Sequence, residues 1–156
     1  MKYIAVSERK RRYCRGEGRW LRTRCRSTCR SHGKREDVWG YAVATPEEAE
    51  ELYTNGIKKP ILILGYTFPE YDAQIVTGKS ASGSFSLIRA KQLSEEAMRQ
   101  DKICKIHIKL DTGMSRIGFQ VTEQSADEIA QIAKLPHIMI EGIFTHFPRQ
   151  MKQIKA

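Results

Sequence analysis

Residues 103–146 read ICKIHIKLDTGMSRIGFQVTEQSADEIAQIAKLPHIMIEGIFTH, and this stretch decides the fold. Ile103 to Asp111 alternates, with Ile106, Ile108 and Leu110 on one face and Lys105, His107 and Lys109 on the other, the period of a strand. Thr122 to Leu135 changes to helical spacing, placing Ala126, Ile129, Ala130, Ile132 and Ala133 on one side. Ile138 to His146 is again a strand. A strand, a helix and a strand joined by short links make a βαβ unit, whose strands run parallel.

The same unit recurs upstream. Val38–Ala44 reads as a short strand, and Thr45 then stands as an N-cap, with Pro46 at the first helical position and Glu48 two further on. Ala49, Leu52 and Tyr53 carry the helix to a stop at Asn55-Gly56. Ile61-Leu62-Ile63-Leu64-Gly65 is a continuous apolar run, as expected of a strand covered on both faces. Ala90–Arg99 is a further helix. The fold class is α/β, and both an open doubly wound sheet and a portion of a (β/α)8 barrel suit the pattern. No Gly-x-Gly-x-x-Gly or P-loop follows any strand, which counts against a nucleotide-binding sheet.

Charge divides the chain differently. The 156 residues carry 27 Lys+Arg against 18 Asp+Glu, a net charge of +9. Residues 8–36 hold twelve of the basic and three of the acidic residues, leaving fifteen of each sign elsewhere. That segment, ERKRRYCRGEGRWLRTRCRSTCRSHGKRE, has Leu21 as its one aliphatic residue and no face to bury. Three readings stand open. Tyr13 and Trp20 among the basic residues suit an arm for nucleic acid. Cys14, Cys25, Cys29 and His32 loosely suit zinc. The favoured reading is an out-of-frame or disordered segment, because GC-rich DNA read in a wrong frame yields Arg, Cys, Ser, Gly and Trp. The cysteines do not imply disulfides, and Cys104, within a strand, reads as a small core residue. No apolar run reaches the ~20 residues of a membrane span. The first residues lack the apolar stretch of a signal peptide, so a cytoplasmic location is expected.

Chemistry in α/β folds gathers at the C-terminal ends of strands. Two such ends are polar here: Asp111-Thr112-Gly113-Met114-Ser115-Arg116 and Thr145-His146. By themselves these could be a turn and a core histidine. The longer string Lys105–Phe119, KIHIKLDTGMSRIGF, strongly resembles a signature of the alanine racemases. Ala42–Ala49, Ile61–Thr67 and Glu141–Phe147 resemble further pieces of that family in order and spacing, so that the resemblance covers residues 38–147.

The resemblance implies a pyridoxal-phosphate-dependent enzyme that interconverts L- and D-alanine for cell wall biosynthesis. It implies a partial (β/α)8 barrel, lacking the family's C-terminal β domain, and a homodimer in the intact family. Serine stands as the alternative substrate. Lys109 matches a lysine often carbamylated in the family, Arg116 the arginine near the cofactor's phenolic oxygen and the substrate carboxylate, and His146 the histidine under the cofactor ring. Neither catalytic base has a counterpart. The family's first strand carries Val-Val-Lys-Ala-x-x-Tyr-Gly-His-Gly, whose lysine forms the Schiff base, whereas Ile4-Ala5-Val6 here runs into Ser7-Glu8. The opposite-face tyrosine belongs to the C-terminal domain.

The organisation expected is residues 1–7 as a remnant of the first strand, 8–37 as the basic segment, 38–147 as the partial barrel and 148–156 as an out-of-frame tail. Pro148–Ala156, written in suitable codons and read one base out of phase, gives Ser-Thr-Ala-Asp-Glu-Thr-Asp-Lys-Ser, close to the family's continuation. Lys79–Ser82 similarly yields Ile-Ser-Gln. The chain is therefore read as a racemase fragment that is inactive as written. The alternatives are a non-catalytic barrel protein that binds pyridoxal phosphate and a nucleic-acid binder acting through residues 8–36. No nucleic-acid partner, metal or membrane segment is expected.

Overall fold

Two short apolar runs start the first unit. In the computed structural model, which describes residues 13–15, 40–78 and 80–146, the chain separates into units of residues 1–83 and 84–156. In the first unit β1 (Tyr13–Arg15), β2 (Gly40–Val43), β3 (Ile61–Ile63) and β4 (Ser80–Ser84) lie side by side. Each pairs in parallel with the next, Tyr41 opposite Ile61 and Ile61 opposite Ser80. Every residue of β2 and β3 is buried, which accounts for the unbroken apolar runs: a strand covered on both faces has no solvent side to mark with polar residues.

Helix α1 (Pro46–Thr54) joins β2 to β3, and Thr45 caps it by accepting from the Glu48 amide at 3.4 Å. Glu48 reaches back to the amide of Ala44, at 2.8 Å, rather than to that of the cap residue itself. The return contact of this cap thus reaches one residue further back than in a capping box. Asn55 closes the helix, and Gly56 takes the left-handed φ of 84° that its stop requires. The six-residue helix α2 (Asp72–Thr77) precedes β4.

β4 departs from the apolar rule. Its five residues Ser80, Ala81, Ser82, Gly83 and Ser84 are all buried, yet none is branched or aromatic. Polar side chains hold the strand in place. The hydroxyls of Thr67 and Ser82 lie 3.1 Å apart, and that of Ser80 donates to Tyr53 at 3.3 Å.

The second unit runs through α3 (Leu87–Arg99), β5 (Cys104–Asp111), β6 (Phe119–Gln120), α4 (Glu123–Ile132) and β7 (Ile138–Thr145). Ser86 caps α3 and Thr122 caps α4, so α3 begins three residues before the start expected from its apolar spacing. Both β6 and β7 pair in parallel with β5. α3 packs on β5 and β7, with Ala90, Leu93 and Ala97 fully buried, as are Ile106 and Ile108 of β5. Each large aliphatic side chain removed from water there contributes roughly 1.5–3 kcal/mol. Cys104 is a buried thiol, not in a disulfide, within this core. α4 packs more lightly: of its apolar side only Ile132 is fully buried.

The polar face of β5 is also shielded. His107, Lys109 and Asp111 are all buried, an unusual state for such residues unless they are matched by partners.

The expected remnant of the first strand, 1–7, most of the basic segment 8–37, with its nucleic-acid and zinc readings, and the tail 148–156 fall outside the described residues. Among the described residues no group of three or more His, Cys, Asp or Glu is placed to hold a metal ion. No helix among them is long and apolar enough to cross a membrane.

Candidate functional site

The loop after β5 is built around one carboxylate. Asp111 Oδ1 accepts from the amides of Gly113 and Ser115, both at 3.0 Å, and Oδ2 accepts from the amide of Arg116 at 2.9 Å. These amide hydrogen bonds, that of Gly113 foremost, hold the carboxyl below the usual aspartate range against the desolvation that would raise it. The backbone coils tightly to bring its N–H groups inward, with φ of 122° at Gly113 and 51° at Ser115. Gly118 closes the turn at φ 134°, where a Cβ would come within 2.8 Å of the Asp111 nitrogen. That close passage lets Phe119 and Gln120 pair with Leu110 and Asp111.

Hydroxyls tie this loop to the end of β7. Thr145 donates to the Leu110 carbonyl at 3.0 Å and so accepts from Thr112 at 2.7 Å. Leu110 and Thr145 are register partners, which sets His146 level with Asp111 at the same end of a parallel pair.

Lys109 lies one turn of the pleat deeper. Its side chain is buried, with Nζ 5.5 Å from the ring centre of Phe85 and 5.6 Å from that of Phe144, a cation held between two aromatic faces. Arg116 is the opposite case. Its backbone is fixed by Asp111, its side chain is exposed, and among the described residues no acceptor meets its guanidinium. Lys109, Arg116 and His146 thus stand at the C-terminal ends of β5 and β7, Lys109 within the strand and the other two just beyond.

Several contributors were not singled out from the sequence. In the sequence Asp111 and Thr112 stand out only within a polar strand end and the family signature, and neither Phe85 nor Phe144 is singled out. Nor was the cluster below Lys109, where Glu141 Oε1 lies 3.2 Å from Lys105 Nζ and Glu141 Oε2 lies 3.5 Å from His107 Nε2. A glycine inside an apolar strand, Gly142, was the available signal, since such glycines mark bulges and close approaches.

A parallel α/β unit whose strand ends carry a carboxylate-organised loop, an exposed guanidinium and a histidine is an enzyme-type site of the barrel class. The comparisons agree on which family. Residues 30–155 match the family described as alanine racemase, N-terminal domain. Alanine racemase 1 of Caldanaerobacter subterraneus subsp. tengcongensis is 42% identical over 114 residues, 73% of this chain and 29% of that protein. Alanine racemase 1 of Clostridium acetobutylicum is 48% identical over 106 residues, 68% of this chain and 28% of its own length. A solved alanine racemase of Clostridium difficile 630, in complex with cycloserine, superposes with a TM-score of 0.76 at 39% identity, over 79% of this chain and 34% of that one. The chain belongs to the alanine racemase family. Its fold is α/β, part of a (β/α)8 barrel, and it spans about 30% of the length of the curated relatives it matches.

The family depends on pyridoxal phosphate. The described residues fit one edge of such a group: Arg116 offers a planar donor pair for a phenolate or carboxylate, and His146 stands level with the carboxylate that orders the loop. They do not fit its covalent anchor. The lysine at this strand end, Lys109, is buried with its ammonium between the rings of Phe85 and Phe144.

Proposed function

We propose that residues 40–146 supply the cofactor- and substrate-orienting part of a pyridoxal-phosphate-dependent alanine racemase, and that the 156-residue chain alone does not racemise alanine. L- and D-alanine are the substrate pair on this reading, with serine the alternative, and the product is D-alanine for cell wall biosynthesis in the cytoplasm by a homodimeric enzyme. The observation that carries it is the loop of Asp111, which presents the Arg116 guanidinium at the strand ends with no acceptor of its own among the described residues. A guanidinium so placed meets a carboxylate in two parallel hydrogen bonds. Lys109 and His146 act there as positioning groups; the carbanion chemistry belongs to the cofactor. Racemisation needs a base on each face of the reacting carbon, and neither the lysine nor the tyrosine that the family uses has a counterpart among the 156 residues.

The test is a coupled D-alanine assay with added pyridoxal phosphate, run on the 156-residue chain and on the Clostridium acetobutylicum enzyme carrying residues 40–146 of this chain in place of its own. The chain alone should give no turnover above a cofactor-only control, and the graft should be active. Turnover by the chain alone overturns its inactivity, and a folded but inactive graft overturns the racemase reading.

A further inference from the structure

β5 and β7 are in simple register from Cys104 opposite Ile138 to Ile106 opposite Ile140, and then His107 faces Gly142. Glu141 is therefore one residue too many, a β-bulge in β7. Three features converge on it. The Glu141 carboxylate spans two residues of the same face of β5, 3.2 Å from Lys105 Nζ and 3.5 Å from His107 Nε2. The His107 imidazole lies where a side chain at 142 would have to go: a Cβ there would be 2.9 Å from both Cε1 and Nδ1. Beyond the bulge, Phe144 meets His107 edge to face, with centroids 6.5 Å apart, and lies opposite Lys109. The extra residue advances every later residue of β7 by one position. Without it Phe144 would move off Lys109, Thr145 off Leu110, and His146 out of level with Asp111. A one-residue slip also turns each side chain to the other face.

We propose that His107, Glu141 and Gly142 form a register lock, and that Glu141 and His107 are positioning residues that set the height and facing of Phe144 and His146 against Lys109 and the Asp111 loop. The Glu141 carboxylate, paired with Lys105, holds the bulge from one side, and the missing Cβ of Gly142 admits the imidazole from the other. Only the consequence of the lock for catalysis rests on the racemase reading, because the register itself needs no cofactor.

The experiment reads that register directly, in the full 156-residue chain without ligand. Lys109 Nζ lies near two ring faces, so its ε-methylene protons should resonate upfield of those of the exposed lysines, and Lys109→Arg assigns them. Glu141→Gln keeps the side-chain shape and removes the charge, while Gly142→Ala drives a Cβ into the imidazole. Either variant should move the Lys109 ε signals downfield towards those of exposed lysines and shift the His146 ring protons with them. Leu52→Val, which loosens the core under α1 in the first unit, should leave both sets in place. Unmoved Lys109 and His146 signals in a folded Glu141→Gln or Gly142→Ala variant overturn the lock, as does an equal shift in Leu52→Val. Because no cofactor or substrate is present, failure here leaves the racemase reading standing, and failure of the grafted enzyme leaves the lock standing.

Discussion

Three backbone amides end on the Asp111 carboxylate, and those bonds fix where the next charged residue, Arg116, leaves the chain. Because they lower the carboxyl's affinity for protons in the folded state, the linkage has a definite sign. A group with a depressed folded pKa contributes stability above its unfolded pKa, about 3.9 for aspartate, and loses it as pH falls through the lower folded value. The loop should hold at pH 5 and weaken only below about 4. Asp111→Asn removes that titration and puts an amide where the loop needs two acceptor oxygens. Urea midpoints of the two proteins should therefore differ at pH 6 and approach one another towards pH 3. Subtracting one protein from the other cancels Glu47 and Glu96, whose carboxyls are also held low, by Tyr71 and Arg99 respectively. A constant difference across that range would show that the carboxylate's charge does not organise the loop.

At the scale of elements, glycines separate what the sequence announces from what it conceals. Asn55-Gly56 could be read as a helix stop because the pattern is local: the φ of 84° ends α1 with nothing within 4 Å of a Cβ built there. Gly118 is in a comparable left-handed state, but its need comes from a close passage to Lys109, Leu110 and Asp111, which no local spacing displays. Gly56→Ala should cost roughly 1–2 kcal/mol, the conformational term alone. Gly118→Ala should cost about 3 kcal/mol or more and detach β6, since strain is joined by collision with backbone that cannot turn aside. Thermal unfolding of the two variants checks the order, and a milder effect at Gly118 would mean the loop is looser than drawn. The same distinction governs the rest of the fold. β2, β3 and β5 are plain in the sequence because burial imposes apolar runs or strict alternation. β4 is not, because Ser80–Ser84 is buried by hydroxyl pairing with Thr67 and Tyr53 rather than by branched side chains. The strand-end residues Lys109, Arg116 and His146 could be found through a family signature. His107 and Glu141 could not, since their meaning depends on a bulge between strands more than thirty residues apart in sequence.

On the scale of the whole molecule, its excess charge and its site occupy different parts of the chain. All the net charge of +9 is carried by residues 8–36, whereas the strand ends that bear Lys109, Arg116 and His146 belong to the remainder, in which acidic and basic residues are equal in number. Activity should therefore follow residues 40–146 when they are moved, and should not need the basic segment. In the grafted Clostridium acetobutylicum enzyme these residues would sit among the anchoring lysine and the opposite-face tyrosine that the family uses. Misplacement of orienting groups by about 1 Å typically costs a factor of ~100. The graft should accordingly racemise alanine within about two orders of magnitude of its parent. Arg116→Lys in that graft replaces a planar fork with a single ammonium and should lower kcat/KM by about ten- to a hundredfold while leaving folding intact, which circular dichroism would check. A graft whose activity is indifferent to Arg116→Lys would mean that the Asp111 loop presents its guanidinium to something other than the reacting amino acid.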